Sequence, residues 1–154
     1  MVLSKSCIYG IQAAIFVAAN GKGHYVSISR IAAELNISFH FLTKVLQQLT
    51  QSKLMLSYRG PKGGVVLARE SELITLYDVI SAIDGTEMFT ECMLGLPGCG
   101  EASPCPAHEH WIEIRQDFTR VAREVTLLTL GDRASELNVR LAQEFKRQTV
   151  LPKT

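Results

Sequence analysis

Cys92, Cys99, Cys105 and His108 stand in the order C-x6-C-x5-C-x2-H within the stretch "ECMLGLPGCGEASPCPAHEH". That stretch, Glu91 to His110, holds three of the chain's four cysteines, two of its four histidines and three of its five prolines. Thiolate sulfur and imidazole nitrogen are ligands for soft and borderline metal centres. Met93 to Pro104 is rich in Gly and Pro, so its backbone can wrap around a small object. Pro106 suits the first position of a following helix, which puts Cys105 at the cap and His108 one turn in, with their side chains converging. The positive end of such a helix lowers a thiol pKa and favours an anionic centre.

Several chemistries compete for these ligands. A disulfide would leave one clustered thiol over and suits an oxidising compartment. Three free cysteines can serve as a thiol switch with no metal at all. A Cys3His zinc site is chemically sound, although zinc knuckles are usually spaced more tightly than here. Wider spacing in a Gly/Pro loop suits an iron–sulfur cluster, which is bulkier and needs thiolates around it. In a [2Fe–2S] core, three thiolates and one neutral His leave a single negative charge, against two for an all-cysteine site. The less negative site is easier to reduce, and its protonatable His is more readily lost, which suits sensing.

The surrounding chain must position this stretch. With 154 residues, 47% apolar and 20% charged, it reads as one globular domain with a helical appendage. Residues 1–70 carry eight Lys/Arg against Glu34 and Glu70, whereas residues 71–154 carry eight against thirteen Asp/Glu. A basic first half and an acidic second half suggest that only the first meets a polyanion. The apolar run Ile8 to Ala19 is too short to span a bilayer and no small-residue cleavage site follows it. A soluble cytoplasmic protein with no membrane partner is expected.

Ser4 can cap a first helix with Ile8, Ile11, Ile15 and Ala18 at helical spacing. Ser27 can cap a second, striped by Ile28, Ile31, Ala32 and Leu35 and stopped at Asn36. Ser38 is placed to cap a third, with Leu42, Val45, Leu46 and Leu49 inward and His40, Thr43, Lys44, Gln47 and Gln48 outward. Two short helices joined by a tight turn, the second polar-faced, form a helix-turn-helix whose early positions can reach base edges in the major groove. Next, Leu54, Leu56 and Tyr58 alternate with Met55, Ser57 and Arg59, and Gly60 to Gly64 turns the chain back into Val65-Val66-Leu67. That hairpin is a wing, with Arg59 and Lys62 at its tip and glycines that let the backbone approach phosphates or a minor groove.

Thr75 with Asp78 resembles a capping box opening a further helix to Asp84. Beyond the cysteines, Trp111, Ile114, Phe118, Val121, Val125 and Leu128 recur at alternating spacings of three and four, a seam of nearly three heptads. Such a seam wants a second subunit, and a two-fold dimer matches DNA read as two half-sites. A last amphipathic helix over 133–147, using Leu137, Leu141 and Phe145, and a frayed end complete the chain. The expected fold is mainly α: a winged helix-turn-helix with a small β-hairpin wing and a long C-terminal dimerisation helix. The expected division is a DNA-binding domain over 1–84, a cluster-binding loop over 85–110, and a dimerisation helix with tail over 111–154.

Over nearly its whole length the chain resembles the IscR/NsrR-type winged-helix transcription regulators of bacteria. The resemblance is carried by "LSKSCIYGIQA", "SISRIAAELNISFHFLTKVLQQL", "SYRGPKGGVVLAR" and the spaced Cys92, Cys99, Cys105 and His108. It implies a homodimer binding double-stranded promoter DNA, usually as a repressor, with a cluster whose presence or damage changes DNA affinity. Cys92, Cys99 and Cys105 would be ligands. His108 would complete the set as in the IscR branch, since Ser6-Cys7-Ile8 offers no carboxylate of the NsrR kind; a partner's Cys7 is the outside candidate. Ser38, His40, Thr43, Lys44 and Arg59 match family DNA-contact positions. Thr43 stands where IscR-like members can carry Glu, the first cysteine gap is one residue longer, and Val65 replaces the usual aromatic. A zinc-stabilised or cluster-free thiol-switch regulator is the alternative, and a helix-turn-helix used for protein contact a further rival. With no Ser/His/Asp set, P-loop or paired-carboxylate cleft in the sequence, neither an enzyme nor a small-molecule substrate is expected.

Overall fold

In a computed structural model of the chain, residues 2–134 are described. The predicted final helix, with Leu137, Leu141 and Phe145, lies outside them apart from its first two positions, as does the predicted frayed end.

Ser4 opens α1 (Lys5–Gly21) by accepting the Cys7 N–H at 3.0 Å, and its own N–H and hydroxyl donate to the Asp84 carboxylate. One acidic group thus sits at the positive end of α1, where the helix dipole favours it. Helix α1 is covered along most of its length, with Cys7, Ala13, Ala14 and Val17 buried. Gly10 marks its closest crossing, because any side chain there would collide with Ile83. Helices α2 (Ile28–Leu35) and α3 (Phe39–Gln51) bury Ile31, Ala32 and Leu35 and Leu42, Val45, Leu46 and Leu49, the two predicted stripes. Ser27 caps α2 with its side chain and Asn36 closes it at φ 52°, whereas Ser38 precedes α3 without a side-chain cap bond.

Strands β1 (Met55–Tyr58) and β2 (Gly64–Leu67) form the antiparallel hairpin, in register Met55 with Leu67 and Tyr58 with Gly64. The hairpin is as expected, but burial along it does not alternate: Leu54 and Met55 are both buried, and Leu56 to Tyr58 are exposed. Met55 points into the core, while Leu56 and Tyr58 face out, Tyr58 against Tyr25 with ring centroids 5.8 Å apart. Val26 exchanges two backbone hydrogen bonds with Val65, at 2.8 and 2.9 Å, which covers the free edge of β2. Gly64, at φ 152°, is required there, since a side chain would strike the Val26 carbonyl.

Thr75 and Asp78 form the reciprocal capping box of α4 (Leu76–Asp84). A short helix α5 (Glu87–Thr90) follows, then the cysteine stretch, then α6 (His108–Glu124). Two sequence expectations change here. Helix α6 begins at His108 rather than Pro106, because Cys105 C=O first accepts the His108 N–H in a separate turn at 2.9 Å. The long seam also breaks after Glu124. Val125 C=O accepts the Leu76 N–H at 3.0 Å and Leu127 donates to Ile74 C=O at 2.8 Å, so the chain runs extended beside the start of α4. Helix resumes over 127–134, and Leu127 rather than Leu128 enters the core with Ile74, Leu42 and Leu49. Burying that leucine is worth roughly 1.5–3 kcal/mol. Among the described residues, no helix is long and apolar enough to cross a membrane.

Candidate cofactor site and nucleic-acid interface

The cysteine stretch folds back on itself so that the Sγ atoms of Cys92, Cys99 and Cys105 lie within 4.8 Å of one another. Cys92 Sγ is 3.5 Å from Cys105 Sγ, and Cys99 Sγ is 3.5 Å from His108 Nδ1. The three sulfurs therefore meet, and His108 reaches one of them, Cys99 rather than the expected Cys105; Cys105 stands before the helix cap and His108 in its first turn. Gly95 and Gly98, at φ 64° and 70°, supply the left-handed turns between the first two cysteines. Gly100 and Ser103 exchange backbone hydrogen bonds, pinching the second gap into a small hairpin, and the Cys105 N–H donates to Cys99 Sγ at 3.4 Å.

The thiols are half-buried and not equivalent. The backbone N–H groups of Leu96, then Leu94, hold the Cys92 thiol down at about 7, so much of it is thiolate at neutral pH. Partial burial, then the neighbouring Cys92, pushes Cys105 up. Three sulfurs with an imidazole nitrogen beside one of them make a donor set fit for a cationic centre. Cys7, by contrast, is fully buried against Ile80, Phe89 and Ala122, and burial followed by the Asp84 carboxylate pushes it up to about 12. Its sulfur is enclosed by its own chain.

Helix α6 also anchors the front of the cage. Trp111 Nε1 donates to Glu91 C=O at 2.9 Å, and Arg115 donates to Thr90 and Glu91 C=O at 2.9 and 3.1 Å. Trp111, expected in a dimer seam, instead holds the loop of its own chain, and Arg115 joins it one turn on. Their i, i+4 spacing on the helix that follows the cysteines was the available signal. Behind the cage, Phe89 of α5 packs between Tyr77 of α4 and Phe118 of α6, with centroids 4.5 and 5.7 Å away. Arg123 lies over the outer face of Tyr77 at 3.9 Å. This aromatic stack ties the helix carrying His108 to α4, which crosses α1 of the helix-turn-helix unit.

Of the predicted seam, Trp111, Phe118 and Val125 turn toward their own chain and are half-buried. Ile114 and Val121, two turns apart on α6, stay 58% and 44% exposed, and Leu128, beyond the break that ends α6, is 41% exposed.

On the basic half, Ser38, His40, Lys44, Arg59 and Lys62 are all exposed. Thr43 is half-buried, its hydroxyl donating to Phe39 C=O at 2.8 Å, which leaves its oxygen free to accept. A groove runs between α3 and the wing, lined by Thr43, Gln47, Ser57, Arg59 and Gly60 among others. Gln47 was read only as a polar helix position, yet it faces the same groove as Thr43 and Arg59.

A helix-turn-helix braced by a β-hairpin wing, with exposed His40, Lys44, Arg59 and Lys62 on those elements, defines a winged-helix DNA-binding protein. The chain belongs to the Rrf2 family: the family profile, described as an iron-dependent transcriptional regulator, matches residues 3–133. It is 30% identical to the HTH-type transcriptional regulator IscR of Escherichia coli over 139 residues, covering 90% of this chain and 85% of that one. Among solved structures it is similar to CymR (YrzC), the global cysteine regulator of B. subtilis, at 30% identity and a TM-score of 0.72, covering 84% of this chain and 95% of that one. Its fold also matches T. potens IscR, at 21% identity and a TM-score of 0.66, over 99% of this chain and 93% of that one. These relatives are transcriptional regulators rather than enzymes, in line with the lack of catalytic constellations in the sequence.

Proposed function

We propose that the protein is a homodimeric cytoplasmic transcription regulator, acting as a repressor, whose affinity for promoter DNA is set by an iron–sulfur cluster. The observation that carries this reading is the convergence of the Cys92, Cys99 and Cys105 sulfurs, with His108 Nδ1 beside Cys99 at the start of α6. A [2Fe–2S] centre would be held by these four residues and would supply redox and ligand-exchange chemistry. Ser38, His40, Thr43 and Lys44 would meet the major groove, with Arg59 and Lys62 on phosphate or in the adjacent minor groove. Ile114 and Val121, with Leu128 beyond the break, would cover the same residues of a second copy. Because Trp111 and Arg115 grip the loop and Phe89 grips α4, a change in the loop's shape shifts α6 against the DNA-binding unit. Two recognition helices in a dimer would then change spacing, a two-state population shift.

A second reading is favoured by one distance. Three sulfurs within 4.8 Å match a single tetrahedral ion, whose 2.3 Å metal–sulfur bonds put sulfurs about 3.8 Å apart. A two-iron core needs the set to open. Zinc is therefore the competing occupant. Anaerobic purification followed by a visible absorption spectrum with iron, sulfide and zinc assays separates them. A coloured protein with equal iron and sulfide supports the cluster; a colourless one with a single zinc per chain defeats it. Gel shifts on the protein's own upstream region, loaded and stripped, test the regulatory step, and equal affinity in both states would sink it.

A further inference from the structure

The three thiols are placed unequally with respect to one another, which bears on what the cage does once its metal centre is lost. Cys99 Sγ faces His108 Nδ1 at 3.5 Å and accepts the Cys105 N–H at 3.4 Å. It sits at the base of the Gly100–Ser103 hairpin, whose reciprocal backbone bonds of 3.4 and 3.1 Å resist deformation. Cys92 stands on the opposite arm, separated from Cys99 by the two left-handed glycines, and its Sγ faces Cys105 Sγ at 3.5 Å. Closing that distance to the 2.03–2.05 Å of a disulfide requires about 1.5 Å of movement, which the Gly95–Gly98 arm can absorb without opening the hairpin.

We propose that Cys92 and Cys105 form a specific oxidation site of the metal-free protein, closed to a disulfide by hydroperoxides, with Cys99 left as a free thiol. The steps balance with peroxide as oxidant. One thiol of the pair takes an oxygen from hydrogen peroxide, giving a sulfenic acid and releasing one water. The second thiol attacks that sulfur, the S–S bond forms, and the hydroxyl leaves with the thiol proton as a second water. The two thiols lose two electrons together and the peroxide gains them. The disulfide removes two ligands from the set, so a damaged regulator cannot be reloaded until it is reduced. This deepens the reading of the cysteines as a ligand set, but it is measured on metal-free protein. Its failure is therefore separate from a failure to find iron.

The full chain, stripped of metal by chelator and thiol reductant without oxygen, is treated with hydrogen peroxide and alkylated under denaturing conditions. Cleavage after glutamate then gives fragment 92–101 with Cys92 and Cys99, and fragment 102–109 with Cys105. The expected product is the two fragments joined by one disulfide, with Cys99 alkylated. The link persists in Cys99→Ser and disappears in Cys92→Ser. A bond inside fragment 92–101, a link that survives Cys92→Ser, or three unlinked cysteines would overturn the proposal. Zinc uptake gives a second readout: the oxidised chain should take up less than about a tenth of the zinc bound by the reduced chain, restored by dithiothreitol. Equal uptake in both forms would also overturn it.

Discussion

The grip of α6 on the cysteine loop can be tested by cutting its hydrogen bonds while leaving every ligand in place. In Trp111→Phe the ring stays and the N–H to Glu91 C=O goes; in Arg115→Gln the two bonds to Thr90 and Glu91 C=O are lost. Each such bond is worth roughly 0.5–1.5 kcal/mol net. All three end on exposed backbone, so the low end applies, and together they contribute about 1.5–2 kcal/mol. At about 1.4 kcal/mol per factor of ten, the double variant should bind metal about 10–30-fold more weakly. That matches the scale seen when groups supporting metal ligands are removed. The assay is competition of cobalt or zinc against a chelator of known affinity, on reduced protein. Since the loss falls on loop order rather than on the core, the melting midpoint should move by less than about 2 °C. Unchanged affinity would refute the anchoring argument. So would a loss of affinity matched by a global fall of about 4–8 °C, because the substitutions would then be acting on the fold.

Arg59→Ala should weaken DNA binding across sequences and lower the slope of log affinity against log salt by about 0.9; an unchanged slope would remove Arg59 from the phosphate contacts. Phe89→Ala, emptying the slot between Tyr77 and Phe118, should cost about 3–5 kcal/mol in chemical denaturation, and a loss below about 1 kcal/mol would contradict the packing. Ile114→Glu with Val121→Glu should convert dimer to monomer in sedimentation, and an unaltered dimer would move the interface elsewhere. The Cys7 thiol, raised from 9.0 to about 12 in the folded chain, stays protonated where the unfolded chain already ionises. Its contribution is full below about 9 and is lost as pH rises toward 12, at up to about 1.4 kcal/mol per pH unit. Cys7→Ala should flatten that decline; an identical pH profile would show that the thiol is not protected.

Local rules make much of this protein legible in its sequence. Caps and stops at Ser4, Ser27, Asn36 and Thr75 with Asp78 are chemistry within a few residues, and the structure places them as read. The stripes of α2 and α3 follow from helical period alone. Cysteine spacing in a Gly/Pro stretch points to a ligand set because a loop that can turn so freely brings its own sulfurs together.

Elsewhere, partners far along the chain overrule the local pattern. Val26, almost forty residues before it, pairs with Val65 and closes the edge of the wing, while Met55 is buried and Leu56 exposed. Ile74 and Leu76 capture the backbone at Val125–Leu127 and cut a seam that the heptad spacing alone would continue. Trp111 and Phe118 look the same in sequence as Ile114 and Val121, yet α4 and α5 claim the first pair and leave the second in solvent. Periodicity states which residues share a helix face but not what that face meets. The sequence by itself determined the run of helices, the wing and the spacing of the four candidate ligands. Only tertiary structure decided which of those side chains come together and what holds them, because backbone groups and apolar side chains are satisfied by whichever partner the fold brings within reach.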